Sequence, residues 1–102
     1  MKLYEWASLI RAKNAGPFML TIDILFETEE ALQHVHNSGI LSAAFISNVY
    51  HVPEAQVESY LCEEAKAIKF SFPRPHAAGD FEDKDVFGGQ YHAPLVNVEI
   101  PD

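Results

Sequence analysis

Hydrophobic and polar residues alternate most regularly over residues 18–26, where apolar side chains recur at every second position. A period of two with aromatic and β-branched residues on one side predicts a strand. The same reasoning predicts strands over residues 56–62 and 67–72, separated by an acidic turn at Glu63 and Glu64. Proline cannot donate a hydrogen bond to a sheet, so Pro73 should end the last of these strands.

Two short helices are predicted between the first two of these strands. Thr28 can cap the first helix with its hydroxyl oxygen, and Gly39 suits the left-handed position that often follows the last turn. The second helix should run from Ser42 to about Tyr50, where apolar residues share one face. Pro53 should stop the chain from continuing this helix.

The two ends of the chain and one long segment complete the pattern. Residues 4–13 fit a helical stripe, and a strand is an equally open interpretation. Residues 76–93 have no period, three glycines and several acids, which predicts a long loop. Residues 94–100 alternate again and predict a final strand.

From residue 18 onward the predicted order is strand, two helices, strand, strand, long loop, strand. This order resembles a split βαβ layout in which the long loop replaces the second helix. We therefore predict an α+β domain of ferredoxin-like type, with a mostly antiparallel sheet, helices on one face and a glycine-rich loop before the last strand. The 102 residues are the length of one domain, which we place at residues 1–102.

Composition and charge limit the cellular compartment and the kinds of partner that we expect for this domain. Hydrophobic residues make up 48% of the chain, enough for a core, and no apolar run approaches the ~18 residues that cross a bilayer. The first residues do not resemble a signal peptide, and the single cysteine, Cys62, fits a reducing compartment, so we expect a cytoplasmic protein. The formal net charge of −8 disfavours a nucleic acid or an anionic membrane as partner.

The few cations are concentrated in two short segments. Arg11 and Lys13 lie in the first, and Lys66, Lys69 and Arg74 lie in the second. If the fold makes these segments neighbours, they form a small basic site on an acidic body.

Residues 11–17 form the first candidate site, predicted as a loop just before the strand at residues 18–26. Arginine can bind a carboxylate or phosphate through two hydrogen bonds, and glycine lets the backbone approach a ligand. The candidate ligand-binding residues here are Arg11, Lys13, Asn14 and Gly16. The alternative is a tight turn with solvated charges.

The second candidate site is the long loop and the residues that flank it. Its ligand-binding candidates are Arg74, Gly88, Gly89 and Gln90, and its acid–base candidates are His76, Asp80, Asp85 and His92. The alternative is a hydrated connection with no chemistry. His76 and His92 match no tight metal spacing, and the sequence contains neither a P-loop nor a GxGxxG pattern, so we expect no metal and no cofactor.

No set of residues in the sequence forms a self-sufficient catalytic group. A ligand pocket needs a few hundred Å³, and one layer of helices on a small sheet encloses little volume. A site at the edge of the domain, completed by another chain, is easier to build. We therefore favour an accessory subunit over two alternatives, a stand-alone lyase or isomerase acting on a polycarboxylate and a structural homo-oligomer with paired sheet edges.

Several segments resemble a family of stand-alone proteins of about this length, domain of unknown function 4387. The resemblance lies in residues 10–18 (Ile-Arg-Ala-Lys-Asn-Ala-Gly-Pro-Phe), 21–24, 67–69, 73–75, 85–88 and 92–95. The layout is also similar, more remotely, to the C-terminal ferredoxin-fold domain of acyclic terpene utilisation (AtuA-like) proteins. Those domains carry an Arg-Ser-Gly-Asp-Lys-Gly motif after the first strand and a glycine-rich segment before the last.

Arg11 and Gly16 match the first and last positions of the AtuA-like motif, whereas Lys13 and Asn14 depart from its central Gly-Asp-Lys order. Residues 88–89 correspond to the glycine-rich segment. This resemblance implies a separate AtuA-like large subunit as partner. It also implies a role in the catabolism of branched or polycarboxylic acids, including their CoA thioesters.

Overall fold

A four-stranded antiparallel sheet organises the fold, and the computed structural model describes residues 1–15, 18–73 and 93–101. The strands are β1 (Leu9–Asn14), β2 (Met19–Leu25), β3 (Glu58–Cys62) and β4 (Ala67–Pro73). Their order across the sheet is β1-β2-β4-β3, so β1 and β3 form its two edges within the described residues. The helices are α1 (Leu3–Trp6), α2 (Glu29–Asn37), α3 (Ala43–Tyr50) and α4 (Ala93–Val96).

The segment from β2 to β3 forms a split βαβ unit. The chain leaves β2, passes through α2 and α3, and returns in β3. Both strands pair antiparallel with β4, which lies between them, so β2 and β3 run parallel to each other. The predicted α+β class and split βαβ layout are therefore confirmed.

Local capping explains the bounds of the two longer helices. The Thr28 hydroxyl oxygen accepts a hydrogen bond from the backbone N–H of Ala31 at 3.1 Å, at the start of α2. The Ser42 hydroxyl oxygen accepts from the N–H of Phe45 at 3.1 Å, at the start of α3. Gly39, just beyond α2, has φ +74°, a left-handed conformation that favours glycine. Both predicted helices are confirmed.

The core lies between one face of the sheet and the helices α2 and α3. The sheet contributes alternate residues of its two central strands, Leu20, Ile22, Ile24, Ile68, Phe70 and Phe72. The helices contribute Leu32, Val35, Ile46 and Tyr50. Because one face of each central strand is buried, the period of two sets which side chains point at the helices.

The prediction of a final strand over residues 94–100 is wrong. Residues 93–96 form α4 instead, and Glu99 makes only an isolated antiparallel bridge with Lys2. Proline suits the first turn of a helix because its fixed φ is already helical. The sheet position beside β2, which a last strand would take in a ferredoxin-like fold, is occupied by β1. The apolar residues of this segment pack into the core without joining the sheet, since Leu95 and Ile100 are fully buried.

Three smaller boundaries also differ from the predictions. Phe18 lies before β2 and is 66% exposed, although the alternating pattern predicts it on the buried face. Gln56 belongs to a short 3-10 helix, so β3 starts later than predicted. The ambiguous segment at residues 4–13 contains both elements, because α1 ends at Trp6 and β1 starts at Leu9.

None of the helices within the described ranges is long and apolar enough to cross a membrane. The predicted loop at residues 76–93 lies outside the described residues except for its last position.

Candidate functional site

The candidate site lies on the face of the sheet that points away from α2 and α3, which we call the outer face. Residues that pair across antiparallel strands point to the same face. One row across the outer face therefore contains Arg11, Asp23, Lys69 and Tyr60, and the next contains Lys13, Thr21, Ser71 and Glu58. The outer face is charged, whereas the opposite face is apolar.

An ion pair between Arg11 and Asp23 links the edge strand β1 to the central strand β2 on this face. The Arg11 Nε donates to Asp23 Oδ2 at 3.1 Å, and the side chains are 52% and 2% exposed, respectively. Oδ1 of Asp23 is also buried and has no hydrogen-bond partner within the part of the chain that the structure describes. A buried carboxylate depends strongly on its cationic partner, because unpaired charge is costly away from water.

The sheet brings cations from both cationic segments of the sequence to this face. Arg11 and Lys13 extend from β1, and Lys69 extends from β4. These two strands flank β2, so their axes are about 10 Å apart. Asp23 lies between the two groups and faces Arg11 on one side and Lys69 on the other.

The predicted loop at residues 11–17 is largely wrong, because residues 11–14 lie in β1. Pairing with β2 along its whole length holds this segment in an extended conformation. Asn14 pairs with Leu20 and therefore lies on the helix-facing side of the sheet, away from Arg11 and Lys13. The structure does not bring all the ligand-binding candidates of this segment together.

The other nine site candidates lie outside the described residues and stay predictions. These residues are Gly16, Arg74, His76, Asp80, Asp85, Gly88, Gly89, Gln90 and His92. The hypothesis of a stand-alone lyase or isomerase depends on four of them.

Asp23 is a residue that the sequence analysis missed. A signal was present, since a carboxylate stands in the middle of the most apolar strand. Its partner is twelve positions away and meets it only when β1 and β2 pair.

Other polar contacts in the described residues have structural roles. The His34 ring stacks on Trp6 with centroids 4.2 Å apart, and its Nε2 lies 2.6 Å from the carbonyl oxygen of Pro101. The Tyr60 hydroxyl donates to Glu58 Oε2, and this hydrogen bond raises the pKa of the Tyr60 phenol. Burial raises the pKa of Tyr50, which packs against Phe72 in the core.

A groove of about 470 Å³ lies beside α1 and the start of α2. Glu5 and Glu27 line it, so its charge does not suit an anion. Within residues 1–15, 18–73 and 93–101, no three His, Cys, Asp or Glu side chains are grouped as a metal site requires. The outer face is therefore the candidate site with the clearest charge pattern.

The split βαβ unit, the antiparallel sheet and the helices on one face define a small α+β domain of ferredoxin-like class. The chain belongs to the family described as a domain of unknown function (DUF4387), whose model matches residues 3–99. No curated protein and no solved structure is similar enough to the chain to count as a match. The family membership confirms the resemblance seen in the sequence, and the AtuA-like relationship stays a prediction.

Proposed function

We propose that this chain is a small cytoplasmic accessory subunit that docks an AtuA-like large subunit and contributes an anion-binding surface to a shared site. The anion is a carboxylate or an acyl-CoA, in the catabolism of carboxylic acids. The observation that carries the proposal is the Arg11–Asp23 ion pair on the outer face, with Lys13 and Lys69 beside it.

The ion pair orients Arg11 without using its whole guanidinium group. Asp23 accepts from Nε, and about half of the Arg11 side chain is exposed. The two terminal nitrogens can therefore donate to one carboxylate or phosphate in the paired geometry that arginine favours. A side chain held by a buried partner loses less freedom when it binds a ligand, which supports a binding role.

The local charge also favours an anion. The two rows across the outer face hold three cations, Arg11, Lys13 and Lys69, and two carboxylates, Asp23 and Glu58, on a chain with a formal net charge of −8. An anionic ligand is repelled by most of such a surface and attracted to this part of it. Lys13 and Lys69 lie on either side of β2, so a ligand with two separated anionic groups could contact both.

The position of the site favours a second chain. The two longer helices pack on the opposite face, so neither encloses the outer face. Small-molecule sites bury most of the surface of their ligand in a concave pocket. A partner that covers the outer face would add a wall to the site, and this agrees with the large subunit that the AtuA-like resemblance implies.

The anion site can be tested with citrate and coenzyme A as probes, by following backbone amide signals of the labelled protein in NMR titrations. We expect the largest shifts in β1, β2 and β4. Arg11→Ala should weaken binding about tenfold or more, because one charge-assisted pair is lost. Lys2→Ala is the matched control, since Lys2 is an exposed cation paired with Glu99 far along the chain.

Equal affinity of wild type and Arg11→Ala, or shifts confined to other parts of the chain, would contradict the anion site. The fold of each variant is checked by its amide spectrum before the titration.

A further inference from the structure

The two edge strands of the sheet carry opposite charges. β1 has Arg11 and Lys13, and β3 has Glu58, with Glu63 and Glu64 directly after it. All five side chains are exposed. A charged edge normally prevents pairing with an identical edge, because like charges would face each other.

The same two strands also expose large apolar side chains. Leu9 in β1 is 47% exposed, and Tyr60 and Leu61 in β3 are 47% and 37% exposed. Tyr60 and Leu61 point to opposite faces of the sheet, so the helices that the structure describes leave both side chains exposed. An exposed edge of this kind is a template for another strand.

The register of the sheet places residues of β1 and β3 at the two ends of the same rows of paired residues. Lys13 and Glu58 end one row across the sheet, and Arg11 and Tyr60 end the next. On the other face, Ile10 and Leu61 end a third row. A second copy placed beside the first, in the same orientation, would continue each of these rows.

We infer that β3 of one copy pairs antiparallel with β1 of a second copy, so that the sheet continues from chain to chain. The strand directions alternate across the sheet, so this pairing keeps the antiparallel pattern. In this register Glu58 faces Lys13 of the second copy, an ion pair. Tyr60 faces Arg11 of the second copy, a cation–π contact, and Leu61 faces Ile10.

Charge selects this contact over the two symmetric ones. Pairing of β1 with β1 would bring cations together, and pairing of β3 with β3 would bring the glutamates together. The β3–β1 contact joins different surfaces on the two copies, so within the described residues each copy keeps one edge strand for a further copy. Such contacts generate a ring or an open chain of subunits.

This inference goes beyond the proposed function and does not depend on it. The Arg11–Asp23 pair is made within one chain and can persist in the assembly. Assembly is measured as mass and ligand affinity as a titration, so either proposal can fail alone.

Charge reversal at the two edges tests the pairing by sedimentation velocity over a concentration series at low salt. We expect the wild type to form assemblies larger than a monomer, which dissociate as salt is raised. Glu58→Lys places a lysine opposite Lys13 of the second copy, and Lys13→Glu places a glutamate opposite Glu58. Each variant alone should associate at least tenfold more weakly than the wild type, because like charges then face each other.

The equimolar mixture of Glu58→Lys and Lys13→Glu is the decisive sample. Its β3–β1 contacts again join opposite charges, so we expect alternating assemblies to form again. Circular dichroism of each variant checks that the fold is unchanged. A monomeric wild type at every concentration, assembly that survives either single reversal, or a mixture that does not assemble would overturn the inference.

Discussion

Removal of Arg11 should destabilise the fold, because it leaves the Asp23 carboxylate buried without its cationic partner. Asp23 is 2% exposed and its Oδ1 has no partner in the described ranges, so the Nε–Oδ2 contact at 3.1 Å carries much of its stabilisation. Half of the Arg11 side chain remains in water, which screens the interaction and rules out the full value of a buried pair.

The coupling free energy of Arg11 and Asp23 should therefore lie between the values for fully exposed and fully buried ion pairs. Exposed ion pairs contribute about 0.2–1 kcal/mol, and breaking a fully buried pair costs about 3–5 kcal/mol. For one exposed and one buried partner we expect a coupling free energy of about 1–2 kcal/mol. Arg11→Ala alone should lower the free energy of unfolding by at least this much, since it also leaves the buried Asp23 carboxylate without its hydrogen-bond donor.

A double-mutant cycle isolates the coupling. Urea unfolding of wild type, Arg11→Ala, Asp23→Asn and the double variant gives four free energies of unfolding, and their combination removes effects that the two sites do not share. The Lys2–Glu99 pair is the internal control. Its side chains are 46% and 65% exposed at a distance of 3.5 Å, so we expect a coupling below about 0.5 kcal/mol.

Equal couplings for the two pairs would show that burial of Asp23 does not decide the magnitude of the coupling. A coupling near zero for Arg11 and Asp23 would show that the outer-face ion pair contributes nothing to the fold. It would also remove the argument that Asp23 holds Arg11 in place for a ligand.

Three further predictions concern other parts of the chain. Gly39→Ala should cost about 1 kcal/mol in urea unfolding, because φ is +74° while the added methyl meets no atom within 4 Å; no loss would contradict the left-handed end of α2. Ile100→Ala should cost about 2–4 kcal/mol, because the side chain is fully buried, and a loss below about 1 kcal/mol would contradict its place in the core. Absorbance titration should place the Tyr60 ionisation above the ordinary phenol pKa, and Glu58→Gln should lower it; an unchanged titration in that variant would contradict the hydrogen bond.

The sequence predicted those helices and strands that are set by interactions between residues close together in the chain. The caps at Thr28 and Ser42 are each satisfied within three residues, so the two longer helices follow from short stretches of sequence. The strand at residues 67–72 has an apolar side chain at every second position, and the structure adds only Pro73 to it. The split βαβ layout follows from the order of these elements.

Contacts between distant residues account for what the sequence did not predict. The alternation over residues 94–100 is typical of a strand, but β1 already occupies the sheet edge beside β2. This segment pairs with the N-terminal residues instead. The Leu3 N–H donates to the Val98 carbonyl oxygen and the Ile100 N–H donates to the Met1 carbonyl oxygen, both at 2.8 Å. The role of Asp23 likewise depends on the pairing of β1 with β2.

The most direct test of the accessory-subunit role is recovery of the tagged chain from a lysate of its native cells, with every co-purified protein identified by mass spectrometry and its stoichiometry measured. We expect an AtuA-like large subunit in fixed ratio, whose complex binds citrate or coenzyme A and loses this affinity with Arg11→Ala but not with Lys2→Ala. Recovery of only further copies of the tagged chain would contradict the accessory-subunit role.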